Sequence, residues 1–170
     1  GITALNELQV LYNGKSIVED GQFALDVMKY INKKTTEFKN EDHILYAIYG
    51  TPAESLCGLQ IKQFRKKYGV IPGVSSREYV SNSFHCGVWE DITGIEKQDL
   101  EDRFWELFKG GRIQYVRYNL SYNTKAMITY VERAMDKGFY EGVNLSLAYC
   151  NNCGHEELDM DVCPKCGSSD

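Results

Sequence analysis

Apolar residues recur at helical spacing along most of the chain, with short continuous apolar runs between them. Leu5, Leu8 and Leu11 predict a short first helix. Phe23, Val27, Tyr30 and Ile31 put an apolar stripe on a longer second helix, and the stripe fades in the polar stretch 32–42. Residues 43–49 form a compact apolar run of strand length. Gly50-Thr51-Pro52 then turns the chain into a helix ending near Lys67, with Gly69 placed to stop it. The Gly, Pro and Ser of 69–81 read as a loop.

In the second half, Leu100, Phe104, Leu107 and Phe108 share one face of a helix predicted over 97–108. Gly110-Gly111 leads into a strand at 112–118, and 119–123 reads as a turn. Met127, Ile128, Val131 and Met135 mark another helix, ended by Gly138, and 143–149 reads as a last strand. Alternating helices and strands predict an α/β class with a mostly parallel arrangement. The chain contains no internal repeat and no low-complexity tract.

Composition narrows the picture. A chain of 170 residues with 43% hydrophobic and 25% charged residues can bury its own core. No apolar run approaches the ~20 residues that span a bilayer, so no membrane partner is expected. The opening residues lack the basic start and apolar stretch of a secretory signal, which predicts a cytoplasmic location. The missing initiator Met reads as a processed piece or a fragment. Net charge is −5, and residues 150–170 carry −4 of it. Neither part has the basic excess that phosphate-backbone binding needs, so no nucleic-acid partner is expected.

The chain ends in Cys150-x-x-Cys153, nine intervening residues, and Cys163-x-x-Cys166. Each C-x-x-C turn lets two thiolates meet one tetrahedral ion, and two such turns supply four sulfurs, the pattern of a zinc ribbon. Gly154 and Gly167 follow the second cysteine of each pair and relieve the tight bend there, and Pro164 suits the second turn. Two disulfides are the competing reading; paired spacing without a secretory signal favours zinc. Four thiolates close the coordination shell, so the metal is structural and not hydrolytic. His155 is then a neighbour of the site and not a ligand.

The segment Thr51-Pro52-Ala53-Glu54-Ser55 carries a second feature, a helix start built of small residues after an apolar run. It admits two accounts. In one, Thr51 is the N-cap, Pro52 takes the first helical position and Glu54 completes a capping box. In the other, the free amides and the helix dipole receive a phosphate. The two conflict in part, because a capping Thr51 occupies an amide that phosphate would use.

Here the sequence resembles a known family. Thr51-Pro52-Ala53-Glu54-Ser55 after an apolar run, Tyr79 followed by Asn82-Ser83-Phe84-His85, the Gly110-Gly111 pair and the terminal double C-x-x-C stand in the order seen in the anaerobic, class III ribonucleotide reductases. The opening Leu5-Asn6-Glu7 is similar to the segment that begins the later part of their catalytic barrel. The resemblance covers essentially the whole chain. It implies part of a ten-stranded glycyl-radical-enzyme α/β barrel, with 1–148 in its second half and 149–170 as the zinc ribbon.

The resemblance further implies an oxidoreductase that converts ribonucleoside triphosphates to 2′-deoxyribonucleoside triphosphates. A stored glycyl radical generates a thiyl radical that abstracts the 3′-hydrogen, with formate as the reductant. Implied partners are a radical-SAM iron–sulfur activase, regulatory dNTP and ATP bound outside this segment, and a second copy in a homodimer. Carried over, Thr51, Pro52, Ala53, Ser55 and Leu56 would receive substrate phosphates. Glu54 would lie near the ribose as the catalytic carboxylate. Asn82, Ser83 and His85 would line the pocket, with local turn and core hydrogen bonding as the alternative role for these three. Cys150, Cys153, Cys163 and Cys166 would hold a zinc ion that braces the glycyl-radical loop.

Two departures qualify the match. The family's radical glycine lies beyond the zinc site, and its thiyl cysteine and allosteric domain lie in an earlier segment. Neither is in this sequence, so the segment alone is expected to be inactive. Cys57 and Cys86, the remaining cysteines, read as small buried residues. A reading from a different class is a non-enzymatic α/β module that uses its acidic zinc ribbon to dock a basic protein.

Overall fold

Helix α1, Leu5–Asn13, carries buried polar residues that tie it to the next segment of the chain. Asn6 Oδ1 accepts the amide of Ile17 at 3.0 Å, and Gln9 Oε1 accepts the amide of Ala24 at 2.9 Å. Both side chains are buried, so these bonds fix the connection to α2, Gln22–Asp42, in a low-dielectric setting. The computed structural model describes all residues except 118–122, 145, 146, 159 and 170. The chain divides into two compact units, Gly1–Ile113 and Gln114–Asp170.

In the first unit α2 runs unbroken through 32–42, where the apolar stripe fades. Asn32 anchors its middle by donating to the carbonyls of Met28 and Leu107 at 3.0 and 2.8 Å. Beyond that point the helix is polar and largely exposed, and good helix formers such as Lys and Glu keep it helical. Helix α3, Glu54–Tyr68, ends on Gly69 as the spacing predicts. The loop after it is ordered by Arg65, whose guanidinium donates to the carbonyls of Ser75 and Arg77.

Helix α4, Gly94–Trp105, starts earlier and stops earlier than its apolar face suggests. Its start is set by a capping box: Thr93 Oγ1 accepts the Glu96 amide at 3.2 Å, and the Glu96 carboxylate accepts the Thr93 amide at 2.7 Å. Phe104, Trp105 and Phe108 close around Phe84, whose ring centroid lies 4.8 Å from that of Phe108 and 6.1 Å from that of Trp105. This aromatic cluster is the centre of the unit, and it pins the segment that carries Phe84.

The strand predicted at 43–49 is not part of a ladder. His43, with φ of 56°, turns the chain out of α2, and the segment then bonds singly. The Tyr49 carbonyl takes the Ile2 amide at 3.1 Å, and the Ile48 carbonyl takes the Gly110 amide at 2.7 Å. Ile48 is buried, whereas Ile44 and Leu45 are exposed. An apolar run signals strand length; a ladder also needs neighbours in register.

The second unit holds strand β1, Gln114–Arg117, helix α5, Thr124–Asp136, and strand β2, Glu141–Asn144. β1 and β2 pair in parallel, with Val116 opposite Val143, so this stretch is a βαβ unit of the expected kind. Asn123 caps α5 by accepting the Ala126 amide; the rest of the predicted turn at 119–123 lies outside the described residues. The single strand predicted at 143–149 is two. β2 belongs to the parallel pair, and β3, Leu147–Tyr149, pairs antiparallel with β4, Glu156–Leu158. The described residues thus form a mixed helix-and-sheet chain with two short two-stranded sheets. Among them, no helix is long and apolar enough to cross a membrane.

Candidate functional site

Gly50 is the hub of the first candidate site. Its amide donates to the Gly111 carbonyl at 2.9 Å, and an isolated parallel bridge joins it to Ile2. Next to that bridge Thr3 pairs antiparallel with Asn82. Ser83 lies directly on Gly50, so close that a Cβ there would overlap Ser83 Oγ. Gly110 has a comparable reason to be glycine, since a Cβ would stand 2.9 Å from the Ile48 carbonyl oxygen. The structure therefore brings together three sequence features that lie far apart in the chain: the 50–56 turn, the 82–85 segment and the Gly110-Gly111 pair.

Thr51 is not the N-cap of α3. The cap position is Ala53, in the left-handed region at φ 44°, and no side chain caps the helix. Pro52 accordingly lies before the helix, and Glu54 is its first residue, too early for a capping box. The left-handed Ala53 makes the turn that Thr51 was expected to make. Its side chain packs on the cluster of Cys57, Ile61 and Val80. Consequently the N-cap residue offers no side-chain cap to the amides of the first turn, where the positive end of the helix dipole favours an anion. Ser55 and Leu56 are exposed beside it. The side chain of Glu54 lies outside the described residues.

Ser83, against Gly50, is held at φ 49°, an unusual conformation for a residue with a side chain. It is 2% exposed, and its hydroxyl has no hydrogen-bond partner among the described residues. A buried hydroxyl without a partner costs stability and is uncommon in native structures. Asn82 is only partly buried. His85 has a different role: its Nδ1 lies 2.9 Å from Oε1 of Glu101, which also pairs with Lys97. Glu101 is fully buried. Burial would raise its carboxyl, yet the charges of His85 and Lys97 prevail and hold it below the ordinary value. His85 thus belongs to a core ion-pair network. The i,i+4 spacing of Lys97 and Glu101 was the available clue to that network.

Cys57 and Cys86 are buried small residues, as their sequence setting suggests. Burial, and the Glu7 carboxylate after it, push the Cys57 thiol up. Burial pushes Cys86 up to about 12. Neither is a thiolate near neutral pH.

The second candidate site is the cysteine cluster. All six cysteines are free thiols, which removes the disulfide reading. The sulfurs of Cys150, Cys153, Cys163 and Cys166 lie within 4.8 Å of one another, with Cys150–Cys166 at 3.5 Å and Cys153–Cys163 at 3.6 Å. A tetrahedral zinc with ~2.3 Å bonds needs sulfur–sulfur edges of roughly 3.8 Å, so the cluster could hold a zinc ion without rearrangement.

The two turns are built alike. The Gly154 amide donates to the Cys150 carbonyl at 2.9 Å, and the Gly167 amide to the Cys163 carbonyl at 2.8 Å. Gly154 and Gly167 have φ of 72° and 74°, where only glycine is free of strain. The Ser168 amide, followed by the Asn152 side chain, holds the Cys166 thiol down at about 6. His155 Nε2 pairs with Glu157 at 3.3 Å, which fits a neighbour and not a ligand.

A comparison with known proteins decides the family. The sequence model of the family described as anaerobic ribonucleoside-triphosphate reductase matches residues 1–170. The chain belongs to that family. The anaerobic ribonucleoside-triphosphate reductase of Haemophilus influenzae is 31% identical over 172 residues, which cover 96% of this chain and 24% of that protein. Its counterpart in Escherichia coli is 28% identical over the same shares of the two chains. The enzyme of that name from Enterobacteria phage T4 is 30% identical over 176 residues, covering 100% of this chain and 28% of the phage protein. The chain thus spans about a quarter of the length of the reductases it matches. Within the anaerobic reductase family, its two candidate sites are the helix start that follows the Gly50–Ser83 contact and a four-cysteine cluster.

Proposed function

We propose that this chain supplies part of the nucleotide site and the zinc ribbon of an anaerobic ribonucleoside-triphosphate reductase. In this reading 1–148 belong to the second half of a ten-stranded α/β barrel and 149–170 form the ribbon. The observation that carries the proposal is the junction at Gly50. There the Ser83 hydroxyl rests against Gly50, and four residues later α3 starts on an Ala53 that makes no capping bond. A triphosphate at this helix start would meet unpaired amides and a favourable dipole, and small residues let it approach closely.

Thr51, Pro52, Ala53, Ser55 and Leu56 then form the phosphate turn. The Ser83 hydroxyl and the Asn82 side chain would complete the pocket, with His85 held beside them by Glu101. Glu54, first in the helix, is the residue assigned to the ribose, where a carboxylate can accept the 3′-hydroxyl proton. The cysteines hold zinc, whose role is to fix the two turns and brace the loop that would carry the glycyl radical. Formate serves as reductant, an iron–sulfur activase using S-adenosylmethionine installs the radical, and the working unit is a cytoplasmic homodimer regulated by dNTP and ATP elsewhere in the protein.

The test is Ser55→Asp in the full-length protein. An aspartate in the first turn is favourable for the helix, so stability is expected to hold or rise. The same charge repels phosphate, and nucleoside triphosphate binding is expected to weaken about tenfold or more. Unchanged binding would sink the assignment and favour a docking module instead.

A further inference from the structure

Glu7 stands in the first turn of α1, 3% exposed, and the family resemblance gives it no task. Its Oε1 accepts the Ser81 amide at 3.0 Å and its Oε2 accepts the Ser81 hydroxyl at 2.7 Å. The Ala4 amide completes the grip by donating to the Ser81 carbonyl at 2.8 Å. Every polar group of Ser81 is therefore held by the start of α1. On one side of Ser81, Val80 packs with Cys57 in the opening turn of α3, and on the other, Asn82 pairs with Thr3. One residue further, Ser83 rests on Gly50.

We infer that Glu7 is a positioning residue for the nucleotide site, holding 81–83 in register with the turn that opens α3. The inference rests on the proposed phosphate turn. It explains why a carboxylate stands where packing alone would favour an apolar side chain. Glu7 borders an apolar groove of about 340 Å³, lined among others by Leu8, Met28 and Ile61. Burying a charge there is costly, and a hydrophobic pair of similar volume would avoid that cost. Apolar packing tolerates small slips of a neighbouring segment, whereas two directed bonds from one carboxylate to one residue do not. The dipole of α1 offsets part of the cost, since Glu7 lies at its positive end. A slip at Ser81 would move Ser83 off Gly50 and widen the pocket.

The experiment uses the full-length protein with three substitutions. Glu7→Leu keeps roughly the same volume and removes both acceptors of the Ser81 bonds. Ser81→Ala removes the hydroxyl bond alone and protects the test should Glu7→Leu fold poorly. Asn6→Ala is the structural control, equally buried on the same helix but bonded to Ile17. KM for a nucleoside triphosphate is expected to rise about tenfold in Glu7→Leu and severalfold in Ser81→Ala, with kcat within about twofold. Asn6→Ala should lower the melting temperature and leave KM unchanged. If Glu7→Leu and Ser81→Ala change KM no more than Asn6→Ala does, the positioning role is overturned. If Ser55→Asp also leaves binding unchanged, the phosphate turn itself fails, and the two failures are told apart.

Discussion

Ser83 Oγ occupies the space that a side chain on Gly50 would need. Gly50→Ala is therefore expected to destabilise the protein by about 1–3 kcal/mol through overpacking. Ser83→Ala alone should be close to neutral or mildly stabilising, because it deletes a buried hydroxyl without a partner. The double variant should recover most of the loss, since the new Cβ would then face Ser83 Cβ at 3.1 Å and the Phe84 ring at 3.4 Å. Melting temperatures of all three proteins check this; strict additivity would show that the two residues do not meet.

The buried Glu101 predicts a dependence on acid. Its carboxyl is held below the ordinary value of 4.5, so it binds its proton less readily folded than unfolded. The stability it contributes is complete above about pH 4.5 and is lost as pH falls through the lower folded-state value. Glu101→Gln leaves His85 and Lys97 without their countercharge and should cost on the order of 3 kcal/mol near neutral pH. The gap in melting temperature between wild type and variant should narrow below about pH 4.5. A gap independent of pH would contradict the network.

The helix cap of α4 gives a prediction that leaves both sites alone. Thr93→Ala removes the hydroxyl that accepts the Glu96 amide and should cost about 1 kcal/mol. Thermal unfolding measures the loss, and zinc content and triphosphate binding should not change.

Metal analysis of the purified full-length protein is expected to find zinc, and Cys163→Ser, which replaces a buried ligand, should lose it. Removing zinc from the wild type with a chelator should expose the cluster's thiols to a colorimetric thiol reagent. It should also make 149–170 sensitive to protease. A protein that keeps its metal after Cys163→Ser would rule out the cluster as the site.

Much of this was legible from the residues themselves. The double C-x-x-C spacing with a glycine after each pair fixes its own chemistry, because chelation and the tight turn are local demands. The end of α3 at Gly69 follows from backbone freedom at a single position. Local signals stopped where partners at a distance decide. The apolar run at 43–49 has strand composition, but its carbonyls find single partners at Ile2 and Gly110 and no ladder forms. The run at 143–149 splits because β2 pairs back onto β1 while β3 pairs forward onto β4.

The proposed phosphate turn shows the same division. Sequence alone determined that a small-residue helix start follows residue 50 and that serine, asparagine and histidine cluster at 82–85. It did not determine that Ala53 rather than Thr51 makes the turn, leaving the helix uncapped. Nor could it reveal that Glu7 grips Ser81 or that His85 pairs with Glu101. Those are contacts between residues 74 and 16 positions apart, set only when the helices pack. Spacing along the chain specifies the cysteine cluster because its members are near in sequence; the junction at Gly50 is assembled from four distant segments, and only tertiary packing brings them together.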